Sequence, residues 1–161
     1  TTPTSSTWTA GPNLQKTRYD HAATLLPGNT KILLTGGYGQ GGKTTEICDF
    51  SISTPACAQG VDMNTSRALH TSTLLPDGKI LVVGGNDGSQ LLKTTEVLTP
   101  TTAGVAGTSD TWTADTTVMR TARAGHSSTL LSNGKVLISG ANNQVSGITT
   151  ATTELWVAPT P

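Results

Sequence analysis

A threefold internal repeat is the feature that most constrains how this chain can fold. Three ten-residue stretches, which begin at Arg18, Arg67 and Arg123, each read Arg-x-x-His, then two small residues and Thr-Leu-Leu. The three histidines are 49 and 56 residues apart. Self-similarity at a nearly fixed period of this size indicates a fold built from stacked supersecondary units, so the chain should be divided by repeat before any motif is interpreted.

The part of each repeat that follows the Thr-Leu-Leu segment reads as β-structure. After a turn, a Lys begins a run of Leu and β-branched residues, which ends in a small-residue doublet, and each copy later reaches Thr-Thr-Glu. The run predicts a strand that is buried on both faces, and the doublet predicts close backbone approach or positive φ. The doublets are Gly36 with Gly37, Gly84 with Gly85, and Gly140 with Ala141.

The turns between the first two strands of each repeat carry hairpin dipeptides. Asp77-Gly78 and Asn133-Gly134 tolerate positive φ at both central positions of a turn, and they therefore indicate hairpins. The first repeat has one residue more at this point, so its turn should differ. No window of the chain supports a long amphipathic helix. The sequence therefore predicts an all-β protein with approximate repeats at 8–52, 56–102 and 111–157.

Four short antiparallel strands form a sheet with two apolar faces, and radial stacking of such sheets into a β-propeller covers both. The Arg-x-x-His opening, the glycine doublet, the Thr-Thr-Glu strand, and Trp8 and Trp112 together resemble kelch repeats. The form of these repeats looks most like that of bacterial kelch proteins and of the propeller of galactose oxidase. The resemblance covers residues 8–157 and implies kelch-type blades of four antiparallel strands. Residues 1–161 would then form a single three-blade unit, which is a half-propeller.

The resemblance implies structural roles for the residues that recur in each repeat. They are expected to hold strand ends and loops together within or between blades, because buried polar groups are normally hydrogen-bonded. These residues are Arg18, His21, Gly36, Gly37 and Glu46 in the first repeat, Arg67, His70, Gly84, Gly85 and Glu96 in the second, and Arg123, His126, Gly140 and Glu154 in the third.

The two cysteines occupy equivalent positions on neighbouring strands of the first repeat. Counted from the repeat Arg, Cys57 takes the place of Trp112. Counted from the repeat Glu, Cys48 takes the place of Leu98. A disulfide in place of this apolar cross-strand pair would fix the outer hairpin of the blade, whereas two free buried thiols are the alternative. The disulfide is the favoured interpretation, and it predicts an oxidising, extracellular or cell-surface location.

A glycine-rich segment resembles a phosphate-binding loop. Residues 37–44 satisfy the P-loop pattern, but that motif needs a following helix, and here the chain continues into Thr-Thr-Glu, which is strand-like. The aligned loops of the other two repeats lack the pattern. Nucleotide binding is therefore not expected, and the segment is interpreted as a hairpin loop.

Metal and copper chemistry are also not expected. The three histidines belong to three different repeats, and no carboxylate recurs beside them as a second partner for a zinc ligand. Galactose oxidase chemistry requires a tyrosine crosslinked to a cysteine, whereas here Tyr19 and Tyr38 are the only tyrosines and both cysteines fall on the outer hairpin. We expect no cofactor and no enzymatic activity.

Charge and hydropathy exclude two further classes of function. Ten Lys and Arg balance ten Asp and Glu, so the chain lacks the basic excess that favours nucleic-acid binding. No apolar run approaches the ~20 residues of a membrane span. Asn64 begins an Asn-Thr-Ser glycosylation sequon, whose use depends on the source of the protein.

Three blades are fewer than the four to eight with which propellers usually close. Either the chain belongs to a larger secreted kelch propeller, or copies assemble. The strand of Trp8 is a fourth strand and that of Trp156 a third, so Trp8 of one copy could complete the last blade of another. We expect a structural or interaction protein that forms a six-bladed homodimer, with a head-to-tail polymer as second choice. The alternative is a propeller that binds a glycan or protein ligand at one face, or that carries an enzyme site.

Overall fold

The computed structural model describes residues 6–101, 109–143 and 148–159. These residues form β-strands joined by turns, and no helix occurs among them. In particular, no described segment is a helix long and apolar enough to cross a membrane. The all-β prediction is confirmed.

Blade one is a four-stranded antiparallel sheet in the order β2-β3-β5-β6, with a small ladder of β1 and β4 beside it. Consecutive strands pair because short turns join them, as the hairpin dipeptides predict. The strands are β1 (Arg18–Tyr19), β2 (Ala22–Leu25), β3 (Lys31–Thr35), β4 (Tyr38–Gly39), β5 (Thr45–Asp49) and β6 (Ala56–Gln59).

Blade two repeats this sheet with four strands, and the described part of blade three contains three of them. The third blade has the order β11-β12-β15, with a separate two-stranded ladder of β13 and β14. The strands of blade two are β7 (Thr71–Leu74), β8 (Ile80–Val83), β9 (Thr95–Thr99) and β10 (Thr111–Ala114). Those of blade three are β11 (Ser127–Leu130), β12 (Val136–Ser139), β13 (Asn142–Asn143), β14 (Ile148–Thr149) and β15 (Thr153–Trp156).

The hairpin turns at the two dipeptides use positive φ at one position only. Gly78 and Gly134 have positive φ, whereas Asp77 and Asn133 do not. Gly78 N–H donates to the Leu75 carbonyl, and Leu75 N–H donates to Lys79. This is a three-residue loop, in which a type I turn is followed by a left-handed glycine. Such a loop needs only one residue with positive φ.

The first-repeat turn is longer, as predicted. Leu26 N–H donates to the Lys31 carbonyl, so four residues lie within the loop, and both Gly28 and Asn29 have positive φ. The extra residue is therefore accommodated within the turn, and the register of the strands on either side is unaffected. Leu25 pairs with Ile32 in blade one, as Leu74 pairs with Ile80 in blade two.

The hydrophobic core lies between blades. One cluster joins blade one to blade two, and includes Leu33 on the first and Ile80, Val82 and Trp112 on the second. A second cluster repeats this arrangement between Leu81 of blade two and the inward-facing residues of blade three. Because β8 has a neighbouring blade on each side, all four of its residues are buried. The apolar run in the sequence is thus explained by burial on both faces of the strand.

Candidate functional site

The arginine of each repeat is buried in its own blade, where it binds the end of the second strand and the start of the third. In blade two, Arg67 Nη2 donates to Glu96 Oε1 over 2.9 Å, and Nη1 donates to the carbonyls of Gly84 and Thr94 over 2.9 and 3.0 Å. Burial lowers the pKa of Arg67, and the hydrogen bond and charge of Glu96 oppose that shift. A buried charge with these partners holds the chain locally, since an unpaired charge in the same place would be costly.

The same ion pair recurs in the other two blades. Arg18 and Arg123 have fully buried side chains and donate to Glu46 and Glu154 over 2.7 and 2.8 Å. The glutamates differ in exposure, because the Glu154 side chain is 18% accessible whereas that of Glu46 is 1% accessible. Blade three thus has the same charged pair in a more open setting.

Each of these glutamates also binds the connection that enters its blade. Glu96 accepts from the backbone N–H groups of Asn64 and Thr65 over 2.6 and 3.0 Å. Glu154 accepts in the same way from Arg120 and Thr121. Burial alone would raise the pKa of Glu154, but these backbone bonds and Arg123 lower it. The fixed Thr-Thr-Glu position in each repeat was the sequence signal for a structural role of this kind.

Two of the three histidines join one blade to the next. His70 Nε2 lies 2.8 Å from Thr35 Oγ1 of blade one, and His126 Nε2 lies 3.0 Å from Thr71 Oγ1 of blade two. Burial, followed by the charge of Arg67, lowers the pKa of His70 to about 3. Burial and then Arg123 lower the pKa of His126 to about 4. Both rings are therefore neutral at physiological pH. They act as hydrogen-bonding groups in the seams, which are the interfaces between adjacent blades.

His21 holds the equivalent position on blade one, but it makes no hydrogen bond to any described residue. Burial and the charge of Arg18 lower its pKa, while Asp20 and Glu46 oppose that shift. The His21 ring is only half-buried, because no other described blade packs on that side of blade one. His21 therefore lacks the contact with a preceding blade that His70 and His126 make.

The glycine doublets allow the next blade to approach closely. Gly37 N–H donates to the Arg67 carbonyl over 2.7 Å, and Gly85 N–H donates to the Arg123 carbonyl over 2.8 Å. A Cβ on Gly84, which has φ of +59°, would lie 2.6 Å from the Arg123 carbonyl oxygen, so no side chain fits there. Gly140 also has positive φ, but the described residues place nothing nearer than 3.9 Å to its Cβ position.

A ladder of hydroxyl pairs, which the sequence analysis did not predict, links the innermost strands of adjacent blades. Thr24 Oγ1 donates to Ser72 Oγ over 2.6 Å, and Thr73 and Ser128 hydroxyls lie 2.6 Å apart. In each pair the threonine is that of Thr-Leu-Leu, and the serine lies two residues after the histidine of the next repeat. The recurrence of this threonine in all three repeats was the available signal.

The cysteine pair lies where the sequence predicted it. Cys48 on β5 is directly opposite Cys57 on β6, and the two form a disulfide with their Cα atoms 3.9 Å apart. The equivalent pair in blade two is Leu98 opposite Trp112, whose Nε1–H donates to the Val61 carbonyl over 2.9 Å. The outer hairpin is thus held by a covalent bond in one blade and by apolar packing in the next.

The two tryptophans predicted to take part in assembly do not meet within one chain. Trp8 is 100% exposed and belongs to no strand. Trp156 on β15 is half-buried, packs against the core between blades two and three, and donates from Nε1 to Asp115 Oδ2 over 3.0 Å. Within the described residues, Trp8 and Trp156 are therefore not in contact.

The remaining candidate motifs have simple structural settings. The glycine-rich segment passes through a turn at Lys43 directly into strand β5. Tyr19 and Tyr38 pair across the β1–β4 ladder with ring centroids 5.4 Å apart. Among the described residues, no three or more His, Cys, Asp or Glu side chains are grouped so that they could hold a metal ion.

Comparison with known proteins agrees with this geometry. The family model for the Kelch motif matches residues 67–114. A solved structure titled "Structure of YjhT", a kelch propeller, aligns over 83% of this chain with 20% identity and a TM-score of 0.67. The chain spans 37% of the length of that structure. No curated protein matches the sequence. Residues 67–114 thus contain a kelch motif, and the chain has the fold of three blades of a kelch-type β-propeller.

Proposed function

We propose that this protein is a non-catalytic, extracellular interaction module that assembles with a second copy of itself into a closed, six-bladed propeller. The observation that carries the proposal is the seam between blades, which occurs twice within the chain. Blade one and blade three each present one unmatched half of the same seam. A contact that joins unlike surfaces of two copies closes into a ring when the rotation permits.

The apolar residues of the blade-three face support the proposal. This face, defined by Leu131, Leu137 and Leu155, is the side of blade three that points away from blade two. The residue equivalent to Leu137 in blade two is Leu81, which is completely buried in a seam, whereas Leu137 is half-buried and Leu155 is 47% exposed. Contiguous apolar side chains of this kind on a soluble protein commonly mark an interaction surface.

The blade-one face, defined by Ile32, Leu34 and the disulfide, supplies the opposite half; in the single chain Ile32 is half-buried, whereas Leu34, Cys48 and Cys57 are buried. Its residues correspond to Ile80, Val82, Leu98 and Trp112, which pack against blade one in the first seam. His21 lies at the inner edge of this face without a hydrogen-bond partner among the described residues. In the internal seams the partner is a hydroxyl of the preceding blade. Ser127 and Ser139 hold the two corresponding positions on blade three. The hydroxyl of either residue can therefore form a hydrogen bond with the His21 ring of a second copy.

The repeated polar groups support a non-catalytic role. The arginines and glutamates are bound to each other and to backbone groups, and His70 and His126 are bound to threonine hydroxyls in the seams. Catalytic acids and bases must instead be available to a substrate. The disulfide between Cys48 and Cys57 supports an extracellular location, because such bonds persist in oxidising compartments.

The seam between copies would differ from the internal seams at one hydroxyl pair. Thr129 on blade three has the position of Thr24 and Thr73, but the residue opposite it on a second copy would be Ala23. Both Ala23 and Thr129 are exposed in the single chain. A serine at position 23 would restore the pair. We expect this to contribute about 1 kcal/mol at each of the two seams of a dimer.

Light scattering tests the proposal. Two copies of 16.5 kDa should give a particle of about 33 kDa, and Ala23→Ser should lower the dimer dissociation constant roughly tenfold or more. The matched control is the same substitution in a Thr129→Val background, where the gain should disappear. A stable, folded monomer at high protein concentration would refute the assembly, and an active hydrolase or oxidase would refute the non-catalytic role.

A further inference from the structure

The outer edge of β15 is the place in the described structure where a blade lacks a fourth strand. In blade one β6 pairs with β5, and in blade two β10 pairs with β9, so each third strand has neighbours on both sides. Among the described residues β15 pairs with β12 alone. An unpaired edge presents N–H and C=O groups that can bind a further strand.

The chain contains a second copy of a fourth-strand sequence. Residues 7–10 read Thr-Trp-Thr-Ala, which is identical to β10 at Thr111–Ala114. Trp8 also precedes Arg18 by ten residues, as Cys57 on the fourth strand β6 precedes Arg67. The segment that contains Trp8 therefore has both the sequence and the spacing of a fourth strand, yet its indole is 100% exposed.

A cavity beside β15 matches the space that Trp112 fills in blade two. It has a volume of about 190 Å³ and is lined by Thr117, Met119, Ile138 and Trp156, among others. The equivalents of the first three are Val61, Met63 and Val82, which belong to or pack against the core cluster that contains Trp112. Where Trp112 covers this region, Glu96 is 1% exposed. The open cavity explains why Glu154, which also lines it, is 18% exposed.

We propose that residues 7–10 of one copy form the fourth strand of blade three in a second copy. This rests on the assembly proposed above and identifies the segment that completes it. By the register of β10 on β9, Trp8 lies opposite Trp156 and Ala10 lies opposite Glu154. The indole of Trp8 fills the cavity, and its Nε1–H donates to the Thr117 carbonyl, as Trp112 donates to Val61.

Within one chain, blade two separates blade one from blade three, so residues 7–10 do not reach β15 of their own copy, and the proposal assigns them to a second copy. The segment that joins one copy to the next then has the same form as the segment that joins two blades within a chain. In the internal seam, the chain leaves the fourth strand of one blade and contacts the glutamate of the next blade through two backbone N–H groups. Gln15 and Lys16 already make this contact with Glu46. Residues 11–14 would therefore cross between copies as residues 60–63 cross between blades one and two.

Crosslinking between two different variants tests the proposal. Trp8→Cys and Trp156→Cys proteins are prepared separately, mixed and oxidised mildly. The register places these positions as it places Cys48 and Cys57, whose Cα atoms are 3.9 Å apart, so a disulfide-linked dimer should form in high yield. Because the native cysteines are already bonded to each other, they supply no free thiol. The matched control mixes Trp8→Cys with Leu155→Cys, whose side chain faces the other side of the sheet, and should give little crosslinking.

A second measurement separates this proposal from the assembly itself. Trp8→Ala should keep the circular dichroism of the folded chain, because Trp8 touches nothing within it, but should raise the dimer dissociation constant at least tenfold. If the unmodified protein is dimeric while Trp8→Ala dimerises equally well, the strand exchange is refuted and the dimer is retained. If the selective crosslink fails in a dimeric protein, the proposed register is refuted. A monomeric unmodified protein would refute both proposals.

Discussion

Acid should destabilise this fold through the two buried seam histidines. The pKa of His70 is about 3 and that of His126 about 4 in the folded chain, against 6.5 for an ordinary histidine. Below about pH 6.5 the unfolded chain therefore binds protons that the folded chain does not. The stabilisation is complete above the unfolded pKa and is lost as pH falls towards the folded values.

The size of the effect follows from these pKa values. Between about pH 8 and about pH 4.5, the protonation of His70 in the unfolded chain should lower the free energy of unfolding by roughly 3 kcal/mol, at about 1.4 kcal/mol per pKa unit. His126 should contribute a slightly smaller further loss of roughly 2–3 kcal/mol, because its folded pKa lies closer to the final pH. A total of about 5 kcal/mol is a large share of the 5–15 kcal/mol typical of a domain.

Urea unfolding at the two pH values measures this loss. Glutamine retains a hydrogen-bonding side chain without the charge, so His70→Gln and His126→Gln should each reduce the pH-dependent loss by about 2–3 kcal/mol. Carboxylates that titrate in the same range contribute equally to all variants and cancel in the comparison. His21→Gln, at the half-buried histidine, is the control and should change the loss least. Equal pH dependence in the unmodified protein and in a His70→Gln, His126→Gln double variant would refute the reasoning.

Three further predictions concern the disulfide, the glycine-rich loop and the seam glycines. Thiol titration of the unfolded, unreduced protein should detect no free thiol, and replacing Cys48 and Cys57 together by alanine should cost about 2–3 kcal/mol in urea unfolding, since the bond closes a short loop. Two titratable thiols would contradict this. Lys43→Ala should fold normally, and ATP should leave the melting temperature of the unmodified protein unchanged; a nucleotide-dependent rise would show specific binding. Gly84→Ala should be more destabilising than Gly88→Ala in thermal unfolding. Both glycines have positive φ, but only Gly84 faces a backbone oxygen within 3 Å. Equal decreases in melting temperature would mean that the backbone at the seam can shift to make room for the methyl group.

Local spacing predicted much of this structure, because several of its features depend on few neighbouring residues. The hairpins follow from Gly78 and its equivalents, and the disulfide follows from the positions of Cys48 and Cys57 relative to the repeat Glu and Arg. The turn type did not follow from the dipeptide, because Asp77-Gly78 is compatible with both two- and three-residue loops, and strand register decides between them.

The partners of the histidines could not be predicted from the sequence. His70 contacts Thr35 on the second strand of the preceding blade, whereas His126 contacts Thr71 on its first strand. Identical motifs thus find different hydroxyls, because blade one has Ala22 at the position of Thr71 and blade two has Val83 at the position of Thr35. Which positions of one blade face the histidine of the next depends on how the two sheets pack. Spacing within a repeat contains no information on that packing.

Because the hydrophobic core lies between blades, its arrangement affects which parts of the chain unfold first. Each seam involves two adjacent blades only, so unfolding energy should approximate a sum over units and nearest neighbours. In a single chain, blade two belongs to both seams and the outer blades to one each. Amide hydrogens of β8, whose four residues are buried, should therefore exchange slowest, at a rate set by global unfolding. Those of β2 and β11 should exchange earlier, through openings that release a single blade.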